Sequence, residues 1–178
     1  MFNRVKFGFG RVLLLCMLFA LAGCDLFSDG RVQIPTSIIS MVPPPNYTIS
    51  QRFPGLENTN VDGSFTINVF PQQSSEALGE LFGSRERAEP TLNNRGIHVE
   101  GVETIPFEDS KILLFRGWQA SEDDVEYEKW IGVFIKERPV MVAFQEPRPG
   151  ILTKAQVMEA FASVRFDVQV HDQTTRPQ

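Results

Sequence analysis

Three stretches decide the fold: Lys111 to Ala120 (KILLFRGWQA), Tyr127 to Lys136 (YEKWIGVFIK) and Val140 to Gln145 (VMVAFQ). In each, both alternate sets of positions carry apolar residues, as Leu113 and Phe115 do against Ile112, Leu114 and Trp118. Successive side chains of a strand point to opposite faces, so apolar residues in both sets mean that both faces are covered. The links are short, Ser121 to Glu126 and then Glu137-Arg138. Links of that length join antiparallel neighbours, because a parallel crossover needs about a dozen residues or more. The expectation is an α+β fold: a central antiparallel sheet with helices packed on both faces, an αβα sandwich.

Working upstream, Ser37 to Val42 (SIISMV) is a candidate strand stopped by Pro43-Pro44-Pro45, since three prolines remove three ladder donors. Tyr47 to Phe53 is a second short strand. Gly63 to Phe70 (GSFTINVF) is a third, alternating Phe65, Ile67 and Val69 with Ser64, Thr66 and Asn68, which leaves one face only lightly covered. Ser74 to Phe82 (SSEALGELF) has helical spacing, with Ala77, Leu78, Leu81 and Phe82 on one side. Its continuation from Arg85 through Ala88 meets Pro90, expected to close the helix. Asn93-Asn94-Arg95-Gly96 has turn chemistry, and a strand resumes over Ile97 to Ile105.

Downstream, Thr153 is placed to cap a helix, with Gln156 completing a capping box and Leu152 stapling to Val157. Val157, Phe161 and Val164 recur at helical spacing, and Val164 to Val168 is expected to run into a final edge strand. His171 to Gln178 reads as a loose polar tail.

The N-terminus has a different character. Arg4, Lys6 and Arg11 precede Val12 to Ala22 (VLLLCMLFALA), eleven consecutive apolar residues. As a helix that run is roughly 16 Å long, about half the hydrocarbon core, and it matches the pattern of a secretory signal. The next residues, Leu21-Ala22-Gly23-Cys24, resemble the lipobox of bacterial lipoproteins. The resemblance implies a diacylglyceryl group on the Cys24 thiol, cleavage between Gly23 and Cys24, and acylation of the new amine. Asp25 resembles the enteric signal that retains lipoproteins in the inner membrane, so that membrane is favoured over the outer one. The chain divides into a signal peptide (1–23), a lipidated tether (24–35), a folded domain (36–168) and a flexible tail (169–178).

Of the 178 residues, 42% are hydrophobic and 22% charged, a composition that suits a globular domain rather than a disordered chain. Removing residues 1–23 leaves 14 basic against 22 acidic residues, a net of −8. A domain with that field repels phosphate backbones, which argues against nucleic acid as a partner. Cys16 and Cys24 are the two cysteines, both at the N-terminus, so the domain carries no thiol for metal or redox chemistry.

Motifs of hydrolases, nucleotide binders and zinc enzymes do not occur. His98 and Glu100 stand two apart on a strand, the spacing of a base and its orienting carboxylate, yet no nucleophile is marked. Glu122, Asp123, Asp124, Glu126 and Glu128 offer oxygens to a cation but lack the glycine of a calcium loop, and read as a solvated hairpin end. Arg116, Trp118, Lys129 and Trp130 are the polar and aromatic constellation of the central strands. A hairpin centred near Asp124 would set Trp118 opposite Trp130 and Gln119 opposite Lys129, making a core feature or a groove for a peptide or small ligand. No metal or cofactor is expected.

The stretches VPPPNYTISQRFPGLEN (Val42 to Asn58), LLFRGWQA (Leu113 to Ala120), KWIGVF (Lys129 to Phe134) and VMVAFQEP (Val140 to Pro147) are similar to small proteobacterial lipoproteins of the Mog1/PsbP-like superfamily. The resemblance covers residues 36–168. It implies an antiparallel sheet flanked by helices and an accessory, non-enzymatic role, since members include a nuclear-import factor, photosystem accessory subunits and an envelope lipoprotein linked to phage entry. The functional expectation is a lipid-anchored envelope binding or assembly module with a protein partner. The alternative is an envelope hydrolase or small-ligand binder whose site is assembled from distant residues.

Overall fold

The computed structural model describes residues 29–166. Its strands are β1 (Val32–Gln33), β2 (Ile39–Met41), β3 (Thr48–Ile49), β4 (Gly55–Asn58), β5 (Gly63–Val69), β6 (His98–Phe107), β7 (Ser110–Ala120), β8 (Glu126–Ile135), β9 (Pro139–Pro147) and β10 (Arg165–Phe166). The described helices are α1 (Ser75–Phe82), α2 (Arg85–Asn93) and α3 (Lys154–Ala162), with a 3-10 turn over Gln72–Ser74. Seven strands form a sheet in the order β3-β4-β5-β9-β8-β7-β6, and three form a second in the order β1-β2-β10. Every pairing is antiparallel. The chain builds the large sheet from both edges inward: β3 to β5 from one edge, then, after α1 and α2, a β6 to β9 meander from the other, until β9 pairs with β5.

Strand β8 explains the core. Trp130 to Phe134 is a continuous buried run because both faces of the sheet are covered. On one face, Trp130 and Phe134 join Phe65 and Phe144 from the neighbouring strands, Val157 and Phe161 from α3, and Ile39 and Met41 from β2. The Phe65 ring lies 4.8 Å from Phe144 and 5.8 Å from Phe161, both tilted, an arrangement that the ring quadrupoles favour. On the opposite face, Phe115, Ile131 and Val133 pack with Phe82 of α1 and with Ala88 and Leu92 of α2.

The α+β sandwich with helical layers on both faces is overturned. The described residues are 43% strand and 21% helix, in two antiparallel sheets with three short helices. Two-faced strands signal that something covers each face, but not what. On the Trp130 face the cover is shared between α3 and the small sheet, whose strands of two or three residues are too short to show a period. Strand β1 also lies in the stretch read as tether.

Local chemistry accounts for the ends of the elements. The α3 capping box forms as its residues suggest: Thr153 Oγ1 accepts from the Gln156 N–H at 3.3 Å, and Gln156 Oε1 accepts from the Thr153 N–H at 2.9 Å. Pro90 does not prevent a helix after Phe82. Gly83 and Ser84 break the chain direction, Ser84 in extended backbone, and α2 then runs through Pro90 to Asn93. That helix ends where Gly96 takes a left-handed φ of 75°, letting the Ile97 and Gly96 N–H groups bond back to the Leu92 and Asn93 carbonyls.

Candidate functional site

The register of β7 and β8 differs from the expected one by two residues. Arg116 stands opposite Trp130, Trp118 opposite Glu128, and Gln119 opposite Tyr127. A shift of two keeps each side chain on its face but changes every neighbour. Arg116, Trp118 and Trp130 therefore share one face, and Lys129 points to the other. Trp130 is 0% exposed, its indole Nε1 donating to Glu128 Oε1 at 2.7 Å. Lys129 contacts Gln145 Oε1 across the sheet, and burial holds its ammonium below the usual range. The four candidate residues do not line one groove.

The solvent-side end of the Trp130 face is instead a paired rim. A bulge between Val99 and Gly101 makes Glu100 the extra residue of β6. Its Oε2 accepts from Arg116 Nη1 at 3.1 Å and Arg148 Nη2 at 2.9 Å, and Arg148 Nη1 lies 3.7 Å from Glu126. His98 stacks on Trp118, with centroids 4.3 Å apart and an interplanar angle of 21°. The bulge thus separates the roles of His98 and Glu100: the imidazole faces an indole and the carboxylate faces two guanidinium groups. The acidic run caps the β7–β8 hairpin, where Asp124 adopts a left-handed φ of 57°. Among the described residues no group of three or more His, Cys, Asp or Glu side chains is placed to hold a metal ion.

Two features carry little sequence signal. The first is Glu146, only 1% exposed. Its Oε2 accepts from the N–H groups of Ile151 and Leu152 at 2.7 and 3.1 Å, and its Oε1 from the Tyr47 hydroxyl at 3.0 Å. The Tyr47 phenol is pushed far above its usual range, first by burial and then by the adjacent charge and hydrogen bond. Glycines make room for the pair: a Cβ on Gly63 would sit 2.1 Å from the Tyr47 oxygen, and one on Gly150 2.4 Å from Glu146 Oε2. A lone Glu at the end of VMVAFQEP gave no hint of this clamp.

The second is a cleft of about 310 Å³ between the α1–α2 pair and the large sheet. Leu78, Leu81 and Phe82 of α1 form one wall, Leu92 comes from α2, and Ile131 and Met141 come from the sheet. Asn68, Thr91 and Arg95 supply its polar lining. The volume is at the lower end of the roughly 300–1,000 Å³ range of small-molecule sites. The apolar side of SSEALGELF was legible; that it would not close fully onto the sheet was not.

Cys24, Asp25 and the tail lie outside the described residues. No protein-family model and no curated protein matches the chain. Among solved structures, one from Bacteroides thetaiotaomicron VPI-5482 is similar at 14% identity and a TM-score of 0.49, over 74% of this chain and 46% of its own. The chain thus spans about half the length of that structure, and a likeness at this level carries no argument. These comparisons add no link to the Mog1/PsbP-like superfamily.

Proposed function

We propose that the protein is a lipid-anchored accessory component of a bacterial cell envelope, a non-enzymatic binding module tethered through Cys24 at the periplasmic face. The observation that carries this reading is the succession of Arg4, Lys6 and Arg11, the apolar run Val12 to Ala22, and Leu21-Ala22-Gly23-Cys24. Each buried methylene contributes about 0.8 kcal/mol, so two or three acyl chains hold the domain permanently where one would not. Asp25 favours the inner membrane. Within this reading the cleft under α1 and α2 supports binding of a small ligand. Hydrolysis through His98 and Glu100 is disfavoured, because the imidazole is stacked and the carboxylate is held by two arginines. Intact mass spectrometry of membrane-extracted protein tests the tether: the mass should equal residues 24–178 plus two or three acyl chains, and an unmodified chain or another N-terminus refutes it.

A further inference from the structure

We propose that the cleft between the α1–α2 pair and the large sheet binds a single-chain aliphatic carboxylate, the alkyl chain against Leu81, Phe82, Ile131 and Met141 and the carboxylate at Arg95. This deepens the binding reading above and rests on it. The two most prominent polar clusters are already committed. At the rim, Glu100, Arg116, Arg148 and Glu126 satisfy one another. Glu146 is spent on two backbone donors and Tyr47. The cleft combines space, a mostly apolar lining and a cation with no ion-pair partner among the described residues.

The lining fixes the ligand class. Apolar cavities hold water poorly and take apolar guests. A volume of about 310 Å³ equals about ten waters at roughly 30 Å³ each, and a methylene is of similar size, so one alkyl chain of about ten carbons fills it. No acidic side chain lines the cleft, although the chain beyond residue 23 has a net charge of −8. Its one charged lining residue is Arg95, which is exposed and makes no ion pair among the described residues. The backbone of Arg95 is fixed: its N–H bonds to the Leu92 carbonyl at 2.9 Å, and its own carbonyl accepts from Gln119 Nε2 at 2.9 Å. A second guanidinium, that of Arg138, donates to the carbonyl of Phe70, another lining residue, at 3.1 Å. An anion on an apolar stem matches an apolar cleft with a cation held at its margin.

The test uses the mature lipidated protein in phospholipid nanodiscs with methionine methyl groups labelled for NMR, titrated with decanoate and, separately, with decanol. Met141 lines the cleft, while Met41 and Met158 pack in the core of the opposite face. Decanoate should shift the Met141 methyl saturably and leave Met41 and Met158 in place. Decanol should bind about fivefold more weakly, the factor corresponding to about 1 kcal/mol for a partly exposed charge pair. Arg95→Gln should weaken decanoate by the same factor and leave decanol unchanged. A silent Met141 in a lipidated chain overturns the ligand assignment alone, whereas an unlipidated chain overturns the tether alone. Equal shifts at all three methionines, or decanol binding as tightly as decanoate, also overturn the assignment.

Discussion

Tyr47 and Glu146, 99 residues apart in sequence, meet through a 3.0 Å hydrogen bond inside the domain, phenol to carboxylate. The contact ties the segment after the three prolines to the end of β9, and the other oxygen of Glu146 holds the loop that leads into α3. It also makes stability depend on pH on the alkaline side.

Ionising Tyr47 in place would bury a negative charge and set it beside the Glu146 carboxylate, so its folded-state pKa is raised. The unfolded chain releases this proton near pH 10, the folded one later, so the contribution is fully present below pH 10 and lost as pH rises beyond it. Tyr47→Phe should cost about 1–3 kcal/mol at neutral pH, through the bond withdrawn from a buried carboxylate. It should also flatten the alkaline fall, measured as the difference between variant and parent in urea melts from pH 8 to 11. Tyr127, raised mainly by its bond to Asp62, adds a smaller alkaline loss on the surface, and Tyr127→Phe separates the two. A parallel pair of curves for Tyr47→Phe and parent would refute the assignment.

Gly63→Ala tests the same clamp from its other side. The added methyl would stand 2.1 Å from the Tyr47 oxygen, a distance that forces the ring or strand to move. A loss of about 1–3 kcal/mol is expected, as for other overpacked sites. In the double variant with Tyr47→Phe part of that loss should be recovered, since the phenol oxygen is the nearest obstacle. Strict additivity would show that the clash is absorbed elsewhere.

Trp130→Ala should destabilise the domain by about 3–5 kcal/mol, because the indole is fully buried and Glu128 loses its donor. His98→Ala, which removes a stacked but exposed ring, should change the melting temperature little. Melting curves of the two side by side decide the matter, and a Trp130→Ala variant that melts like its parent would mean that the core is not organised around β8.

Asp25→Ser should move a share of the protein to the outer-membrane fraction in a host with enteric-type lipoprotein sorting. Sucrose-gradient fractionation of both forms provides the measurement. Identical distributions would remove the argument from Asp25.

How far the sequence could be read depended on the length over which a pattern repeats. Strands β7, β8 and β9 each run for nine residues or more, long enough for alternation to show that both faces are buried. The α3 cap was legible because its bonds are local, between Thr153 and Gln156. Strand β2 has three residues and β10 two, and their pairing across more than a hundred residues has no local signature. That is why a second sheet was mistaken for helical cover. The pairing expected between Trp118 and Trp130 is displaced by two residues for a related reason, whereas Lys129, next to Trp130 in β8, faces the other side in either register. Loop conformation sets hairpin register, and the left-handed backbone at Asp124 placed Trp130 against Arg116. The cleft at Arg95 depends on how far two short helices stand off a sheet, a tertiary distance that no single segment encodes.

The position of β2 between β1 and β10 has a consequence for biogenesis. A chain that emerges N-terminus first presents Ile39 and Met41 early, but their second strand partner arrives only with Arg165 and Phe166. The β6 to β9 meander can assemble from sequential neighbours as it appears, whereas the small sheet must wait for more than 120 further residues. Until then an apolar strand keeps one open edge. In that interval a chaperone would find its binding segment at the N-terminal end of the domain, and a truncation just before Arg165 would prolong the exposure indefinitely.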